Sequence, residues 1–354
     1  VTTTIVNGNE HDFDHGKALI DWVRNKGGSF NKKLEIRRSD PNDPDSLAVF
    51  AKERLAAAEL LFEIPAACAI TSDPPKQDDE VFVNYKKEGE WLEAKIATAY
   101  PDGTFDVWYE SGEMELGVTR ADVDDGEESS GMSCTTAQKL IDEMRLGEDS
   151  EFAPYLNYLR SQRTGKLPSA WSNAGKKLIT KIVGTAAVPE DVAGWSWQSL
   201  CNGGADPFEE NAALLIVQRA QNDVMVPIFD MLQHRNGKLF NTKTNPIEKE
   251  ENVLVQASRL IEAGEQLFTS YNFCSDCGRM AMEYGTPELF RDGGFIEPYP
   301  QRWIFEQEHT TAFELNRKMN ADGTLSNELD IMWLQVFPPR EGLIILERFL
   351  KHLH

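Results

Sequence analysis

Two short stretches constrain the fold most, because each joins an apolar run to polar groups that an ordinary core does not need. Residues 226–237 predict an apolar strand that leads into a polar loop at Gln233 and His234, since an Asn-Gly turn signal follows. Residues 263–272 predict a turn and then a strand that ends at Tyr271. A polar His loop and a strand-end Tyr in one domain suit a group-transfer site, and they suit ordinary core edges as well.

The composition narrows the class of partner. With 354 residues, 41% of them hydrophobic, the chain is long enough for one large domain or two to three smaller ones. The net charge of -22 argues against nucleic-acid binding, which depends on clustered Lys and Arg. No apolar run is long enough to cross a membrane. We therefore expect a globular monomer that binds a basic protein or peptide segment, with no direct nucleic-acid or membrane binding.

The five cysteines predict reduced thiols, because an odd count in a long chain does not suggest a disulfide framework. Cys274 and Cys277 have the spacing of half a zinc site, but Cys68, Cys134 and Cys201 lie far upstream without paired spacing, so no metal is expected. The N-terminus lacks an initiator Met and shows neither a signal core nor a transit pattern. We expect an intracellular protein of the nucleus or cytoplasm, or of the plastid if a transit peptide has been removed.

Between two acidic linkers, the sequence predicts a compact unit of short strands at 81–85, 91–96, 104–109 and 113–116, with Gly turns. The strand order and aromatic residues resemble a Tudor domain, an SH3-like β-barrel that can hold methylated Lys or Arg in an aromatic cage. A structural barrel without a working cage is the alternative. The resemblance suggests these cage walls: Tyr85, Trp91, Phe105 and Tyr109.

Helical and strand patterns fill the rest of the chain. A helix is predicted at residues 15–27, and apolar strands at 47–51 and 60–65. Four further helices follow the barrel. Asp206 and Pro207 open the last of these as N-cap and first helical residue.

The order of these elements, with an apolar stretch before Gln233-His234 and a Gly-Glu turn leading to Ser270-Tyr271, resembles a SET domain of the Rubisco large-subunit methyltransferase branch. The resemblance implies an α+β, SET-type fold of short β-sheets with a helical insert, in which the chain near His234 threads through a loop around Tyr271 as a pseudoknot. It divides the chain as follows: residues 1–77 for the N-terminal helix and first part of the SET core, 78–126 for the Tudor-like barrel, 127–222 for the helical insert, 223–297 for the C-terminal part of the core, and 298–354 for a short region of mixed helix and strand.

SET domains of this kind transfer a methyl group from S-adenosylmethionine to a protein side chain, usually Lys. By position, Tyr271 matches the Tyr that orients the acceptor amine, which is the main catalytic role in a reaction dominated by positioning. Gln233 and His234 match an Asn-His pair that holds the adenosine part. The remaining implied residues are Leu47, Arg219, Asp230 and Phe295 as cofactor contacts, and Gln221 and Tyr284 in the substrate channel.

Departures from the family pattern keep alternatives open. Ser46 and Ala48 replace a Gly-x-Gly whose backbone approaches the cofactor, Gln233 replaces Asn, and Gly293 stands where a channel Tyr is common. The first alternative is a catalytically weak SET scaffold that serves as a protein-interaction module. Because Gln221 is polar, a protein-histidine methyltransferase is the second. The main expectation is a protein-lysine N-methyltransferase acting on a basic segment, with a histone as one candidate substrate.

Overall fold

A computed structural model describes residues 9–43, 45–119, 122–124, 133–183, 196–236, 239–271, 285–306, 310–319 and 325–335. The helices are α1 Asn9–Asn25, α2 Cys134–Leu146, α3 Ala153–Arg160, α4 Asn173–Val183, α5 Trp197–Leu200, α6 Pro207–Arg219 and α7 Thr286–Gly293. The strands are β1 Ser29–Phe30, β2 Leu34–Arg38, β3 Leu47–Ala51, β4 Leu60–Ile64, β5 Glu80–Asn84, β6 Trp91–Ala99, β7 Thr104–Tyr109, β8 Met114–Thr119, β9 Val123–Asp124, β10 Gln233–His234, β11 Thr242–Thr244, β12 Val253–Ala257, β13 Phe268–Thr269, β14 Gln301–Glu306, β15 Thr310–Met319 and β16 Leu325–Gln335.

Two small sheets and five helices contribute residues to the main hydrophobic core. These sheets have the strand orders β1-β4-β12-β11 and β2-β3, and a third sheet, of β10 and β13, follows the buried residues Met231 and Leu232. The core packs Leu19 of α1 and Phe62 of β4 with residues of α2, α3 and α6, among them Leu140, Tyr155 and Ile216. This mixed arrangement of short sheets around one core agrees with the expected α+β class.

The helix and strand boundaries in this core follow the predicted signals. The side chain of Ser133 accepts a hydrogen bond from the backbone of Thr136 at the start of α2, and Asp206 accepts one from the backbone N–H of Phe208 at the start of α6. Each such cap satisfies an N–H group that has no partner within its helix. The helices predicted from residue 135 onward and the strands at 47–51 and 60–65 are confirmed.

The first organising stretch differs from its prediction. Its apolar residues form a 3₁₀ turn at Phe229–Met231 instead of a strand, preceded by Ile228 with a φ of +67°. Gln233 and His234 are not in a loop but form β10, which pairs in parallel with β13. Val226 and Ile228 are almost fully buried, and burial of such a run outweighs the local strand preference of its residues. The threading of the chain around Tyr271 stays a prediction.

Residues 78–126 contain a separate five-stranded antiparallel sheet with the order β8-β7-β6-β5-β9 and its own hydrophobic core. Within the described residues, no pairing between the end strands closes this sheet into a barrel. Phe105 lies in the core of the sheet and is 1% exposed. It therefore cannot wall an open cage, and the cage prediction is wrong for this residue.

The expectation about the cysteines needs correction. Cys134, the first residue of α2, forms a disulfide with Cys201, so the expectation of reduced thiols is wrong for these two residues. Because that expectation supported an intracellular compartment, the cysteine count no longer does so. In the described part of residues 298–335, the structure shows β14, β15 and β16 as one antiparallel sheet. The helix predicted for residues 298–354 stays a prediction, since residues 336–354 lie outside the described residues.

None of the helices in the described part of the chain combines the length and the apolar character needed to cross a lipid bilayer.

Candidate active site

The hydrogen bonds of Tyr271 help to join the two organising stretches. The register of β10 and β13 sets His234 opposite Thr269, and the chain then reaches Tyr271 two residues later. The backbone N–H of Tyr271 donates to Nδ1 of His234 at 3.0 Å. The Tyr271 hydroxyl donates to the backbone carbonyl oxygen of Leu232 at 2.6 Å. Both ends of Tyr271 are therefore fixed, one by the His234 side chain and the other by the backbone of Leu232, the residue before β10.

Phe295 completes an aromatic cluster with these two residues. Its ring centroid lies 6.3 Å from that of Tyr271, in an edge-to-face arrangement, and 6.3 Å from the His234 ring. The rings of His234 and Tyr271 are 5.1 Å apart. A Cβ on Gly293 would come within 2.6 Å of the Phe295 ring. This position of Phe295 explains why Gly293 carries no side chain where the family pattern commonly has Tyr.

His234 is neutral and offers an N–H to the site. Burial, together with Arg235 and Arg302, lowers its pKa to about 4. Because Nδ1 accepts the Tyr271 N–H, the single ring proton resides on Nε2. Nε2 has no hydrogen-bond partner among the described residues, and the same holds for Nδ2 of Asn236 and Oδ1 of Asp230. Buried polar atoms without a partner are uncommon in native structures and indicate a place for a ligand or water.

Burial also favours the neutral form of Tyr271. Although 43% of the residue surface is exposed, its hydroxyl points inward to the Leu232 carbonyl. Burial raises the pKa of this hydroxyl above its usual value, and the positive charge of Arg219 offsets part of the effect. Tyr271 is therefore a neutral hydroxyl at physiological pH.

Arg219, at the C-terminal end of α6, lies in a second network behind this cluster. Its guanidinium forms an ion pair of 3.0 Å with Asp230, whose side chain is fully buried. Arg219 also donates to Gln162 Oε1 and to the hydroxyl of Tyr158, and Tyr155 donates to Asp230. The predicted cofactor-carboxylate partner Arg219 is thus already matched by an internal carboxylate.

The loop before Leu47 reaches the site through Ser39. Gln233 donates to Ser39 Oγ at 3.0 Å and accepts from Gln266 at 2.8 Å. Ser46 donates its hydroxyl to backbone carbonyls of the preceding turn. Ser46 therefore stabilises the turn before Leu47, which is itself 5% exposed.

A buried carboxylate attaches this loop to the helical block. The Asp45 side chain is fully buried and lies 2.8 Å from both Arg163 and Lys166. Although burial alone would raise it, these cations hold the pKa of Asp45 below its usual value. On the other side, Gly294 packs so closely against the Lys166 carbonyl that a Cβ would approach to 2.7 Å. The segment around Lys166 thus contacts the loop before Leu47 and the residue before Phe295.

A cavity of about 180 Å³ lies next to the Arg219 network but outside the aromatic cluster. It is lined by residues of α2, α3 and α6, including Leu159, Leu214 and Gln218, and by Gln162. Gln162 connects it to Arg219. Neither Tyr271 nor His234 lines this cavity, so we do not assign the reaction to it.

The structure leaves the other predicted residues apart from the cluster. Gln221 is exposed in a tight turn, where its backbone exchanges hydrogen bonds with Val224. Tyr284, Cys274 and Cys277 lie outside the described residues. Among the residues that the structure describes, no group of His, Cys, Asp and Glu is arranged to hold a metal ion.

Three residues that sequence reasoning passed over belong to the site. In the sequence, Asn236 was interpreted only as part of an Asn-Gly turn signal. In the structure it is 1% exposed and accepts a hydrogen bond from Ser270. Tyr155 and Tyr158 lie three residues apart on one face of α3. A pair of Tyr residues at this spacing on a buried helix is a signal for buried polar partners, because each hydroxyl needs one.

The SET domain family model matches residues 46–272, which include β3, α6, β10 and Tyr271. The chain belongs to the SET-domain family. No protein of curated function matches this SET-domain chain in sequence.

Solved structures with a similar fold include the SET domain of LSMT bound to lysine and AdoHcy, with 15% identity, a TM-score of 0.45, and coverage of 95% of this chain and 70% of that one. Rubisco LSMT bound to AdoMet matches with 14% identity, a TM-score of 0.44 and the same coverage. The complex of LSMT with methyllysine and AdoHcy matches with 15% identity, a TM-score of 0.46, and coverage of 88% and 68%.

Proposed function

We propose that this SET-domain protein is an S-adenosylmethionine-dependent protein-lysine N-methyltransferase. The observation that carries the proposal is the arrangement of Tyr271 within the region that matches the family. Its hydroxyl proton is committed to the Leu232 carbonyl, which leaves the phenol oxygen as a hydrogen-bond acceptor. An acceptor fixed at both ends of its residue is suited to orient an amine N–H.

The residues around Tyr271 fit the cofactor that SET-domain methyltransferases use. S-adenosylmethionine presents acceptor nitrogens, hydroxyls, an ammonium and a carboxylate. His234 Nε2–H and Asn236 Nδ2 are buried donors, and Asp230 Oδ1 is a buried acceptor, each without a partner among the described residues. Phe295 provides an apolar aromatic surface beside them. These four residues would hold the cofactor, which when bound supplies an electrophilic methyl group on sulfur.

Tyr271 would act by positioning. Because its raised pKa keeps the phenol neutral, it orients the acceptor nitrogen without serving as a base. The nucleophile must be the neutral amine, since an ammonium has no lone pair. Burial of the amine beside the aromatic rings favours that form by penalising the charge. Alignment of the lone pair is then the main contribution of the chain.

The substrate we propose is a basic protein segment. A net charge of -22 attracts lysine-rich partners and repels acidic ones. A histone tail is one segment of this chemistry. The LSMT structures were obtained with lysine, monomethyllysine or methyllysine.

The test is transfer of label from radioactive S-adenosylmethionine to proteins of a cell lysate and to core histones. Tyr271→Phe is expected to lower labelling roughly a hundredfold, because misplacement of the amine has effects of that size. Tyr100→Phe is the matched control, since Tyr100 is also 43% exposed and also donates its hydroxyl to an oxygen. Equal labelling by the wild type and Tyr271→Phe would contradict the role of Tyr271.

Two outcomes separate the alternatives. Labelling on histidine, found by mass spectrometry of the modified peptide, would favour the histidine methyltransferase. Absence of S-adenosylmethionine binding in calorimetry, together with absence of labelling, would favour the scaffold that acts as a protein-interaction module.

A further inference from the structure

The five-stranded sheet of β5 to β9 has an outer face on which large apolar side chains are exposed. Trp108 of β7 is 47% exposed, and Met114 and Leu116 of β8 are 39% and 68% exposed. The inner face of the same strands is buried, with Val107 fully inaccessible. Because successive side chains of a strand point to opposite faces, the sheet has one packed face and one apolar face that is open to solvent.

The register joins these residues into one patch. Trp108 pairs with Met114 on β8 and with Lys95 on β6. Side chains directly opposite each other on antiparallel strands are in contact distance. Leu116 lies two residues beyond Met114, on the same side of β8. We call Trp108, Met114 and Leu116 the outer patch.

The surroundings of the outer patch are negative. Residues 78–126 contain fourteen acidic and four basic residues. Asp106, two residues before Trp108 on β7, accepts hydrogen bonds from the Tyr100 hydroxyl and the Gly117 N–H. Both donors are neutral, so these contacts leave the charge of the carboxylate in place.

The lysines of the sheet are engaged by its own carboxylates. Lys95 lies 2.9 Å from Asp78, and Lys86 lies 2.9 Å from Glu113. Lys87 lies 3.2 Å from Asp122. The acidic excess thus extends over the face that carries the outer patch, and a partner there must supply positive charge.

We propose that the outer patch docks a lysine- and arginine-rich segment of a partner protein that inserts at least one apolar side chain against Trp108 and Leu116. Apolar contact supplies affinity, and the acidic surroundings select basic segments and accelerate their association. This surface is separate from the predicted cage, because Phe105, one of the predicted cage residues, is buried on the opposite side of β7. It also requires no methyl transfer.

The test measures binding of two fluorescein-labelled peptides of equal length to the full chain by fluorescence anisotropy. One alternates lysine and leucine, and the other alternates lysine and serine. We expect the lysine-leucine peptide to bind at least roughly tenfold more tightly, because only this peptide buries apolar surface. Its affinity should fall as NaCl is raised.

The variant is Trp108→Ser with Leu116→Ser. Both positions are exposed, and a thermal melt of each protein checks that the fold is retained. We expect it to bind the lysine-leucine peptide at least roughly tenfold more weakly. Leu146→Ser is the matched control, since Leu146 is 55% exposed but lies at the C-terminal end of α2, outside this sheet. Equal affinity of the two peptides, or unchanged binding by the double variant, would overturn the proposal.

Discussion

Two polar groupings lie side by side in this SET domain, and they differ in whether they contain a buried charge. Around Arg219 and Asp230, an ion pair is surrounded by tyrosine hydroxyls and an amide oxygen. Around His234 and Tyr271, the residues are fixed by hydrogen bonds to the backbone, yet Nε2 of His234 points to no partner in the described part of the chain. The first grouping is built on a buried charge pair, in which Nε of Arg219 and Oδ1 of Asp230 lack a partner among the described residues, and the second presents only neutral groups to a ligand.

The difference separates stability from function. A buried charge that loses its counter-charge is costly, so the Arg219 network should respond to mutation mainly through folding. Groups that await a ligand cost stability in the free protein and contribute when the ligand binds. The following predictions test this separation.

The largest effect on folding is expected for Asp230→Ala. The change leaves Arg219 buried without its carboxylate, which should lower the free energy of unfolding by about 3–5 kcal/mol. Glu262→Ala is the matched control, because it removes a carboxylate from an ion pair with Arg54 that is exposed on both sides. That control should cost at most about 1 kcal/mol. Urea denaturation measures both, and equal losses would contradict the contrast.

The second prediction concerns pH. The pKa of His234 is about 4 in the folded chain, whereas the ordinary value of a His side chain, which applies to the unfolded chain, is 6.5. Between these two pH values the unfolded state therefore binds more protons. Stability therefore rises with pH across this window and is lost as pH falls from 6.5 towards 4. The full change is about 3 kcal/mol.

His234→Asn removes the titrating group. Urea unfolding at a series of pH values from 4 to 7, roughly the window set by the two pKa values, should give a smaller slope for this variant than for the wild type. Identical slopes would mean that His234 does not titrate as a buried neutral imidazole. The affinity for S-adenosylmethionine at pH 7 supplies a second readout, because the variant keeps a side-chain amide but loses the Nε2–H.

Residues that favour helix ends and turns made much of the fold predictable from the sequence. Asp206 and Pro207 marked the start of α6 because an N-cap acceptor and a Pro at the first helical position act locally. The turn before β13 was predicted for a similar reason, since Gly264 adopts a φ of +86°. Such signals depend on a few neighbouring residues.

What failed depends on distant parts of the chain. The 3₁₀ turn at Phe229–Met231 forms where burial overrides the strand preference of the apolar run. The Cys134–Cys201 disulfide spans 67 residues, and a spacing of that length carries no local signal. Likewise, the sequence does not reveal that Asp230, eleven residues on, lies 3.0 Å from Arg219. The cofactor contact predicted for Arg219 stays a prediction.

The smallest effects on stability are expected when a Tyr hydroxyl is removed by a Tyr→Phe change in each of the two groupings. Tyr155→Phe removes a donor from the buried Asp230 carboxylate, and hydrogen bonds to charged groups contribute about 1.5–3 kcal/mol. Tyr271→Phe removes a donor from the neutral Leu232 carbonyl, which should cost only about 1 kcal/mol. Activity should show the reverse order, since only Tyr271 faces the proposed acceptor amine. Thermal melts and methyl-transfer assays of both variants decide the matter, and a Tyr271→Phe protein that loses more stability than Tyr155→Phe would assign Tyr271 to the structural grouping.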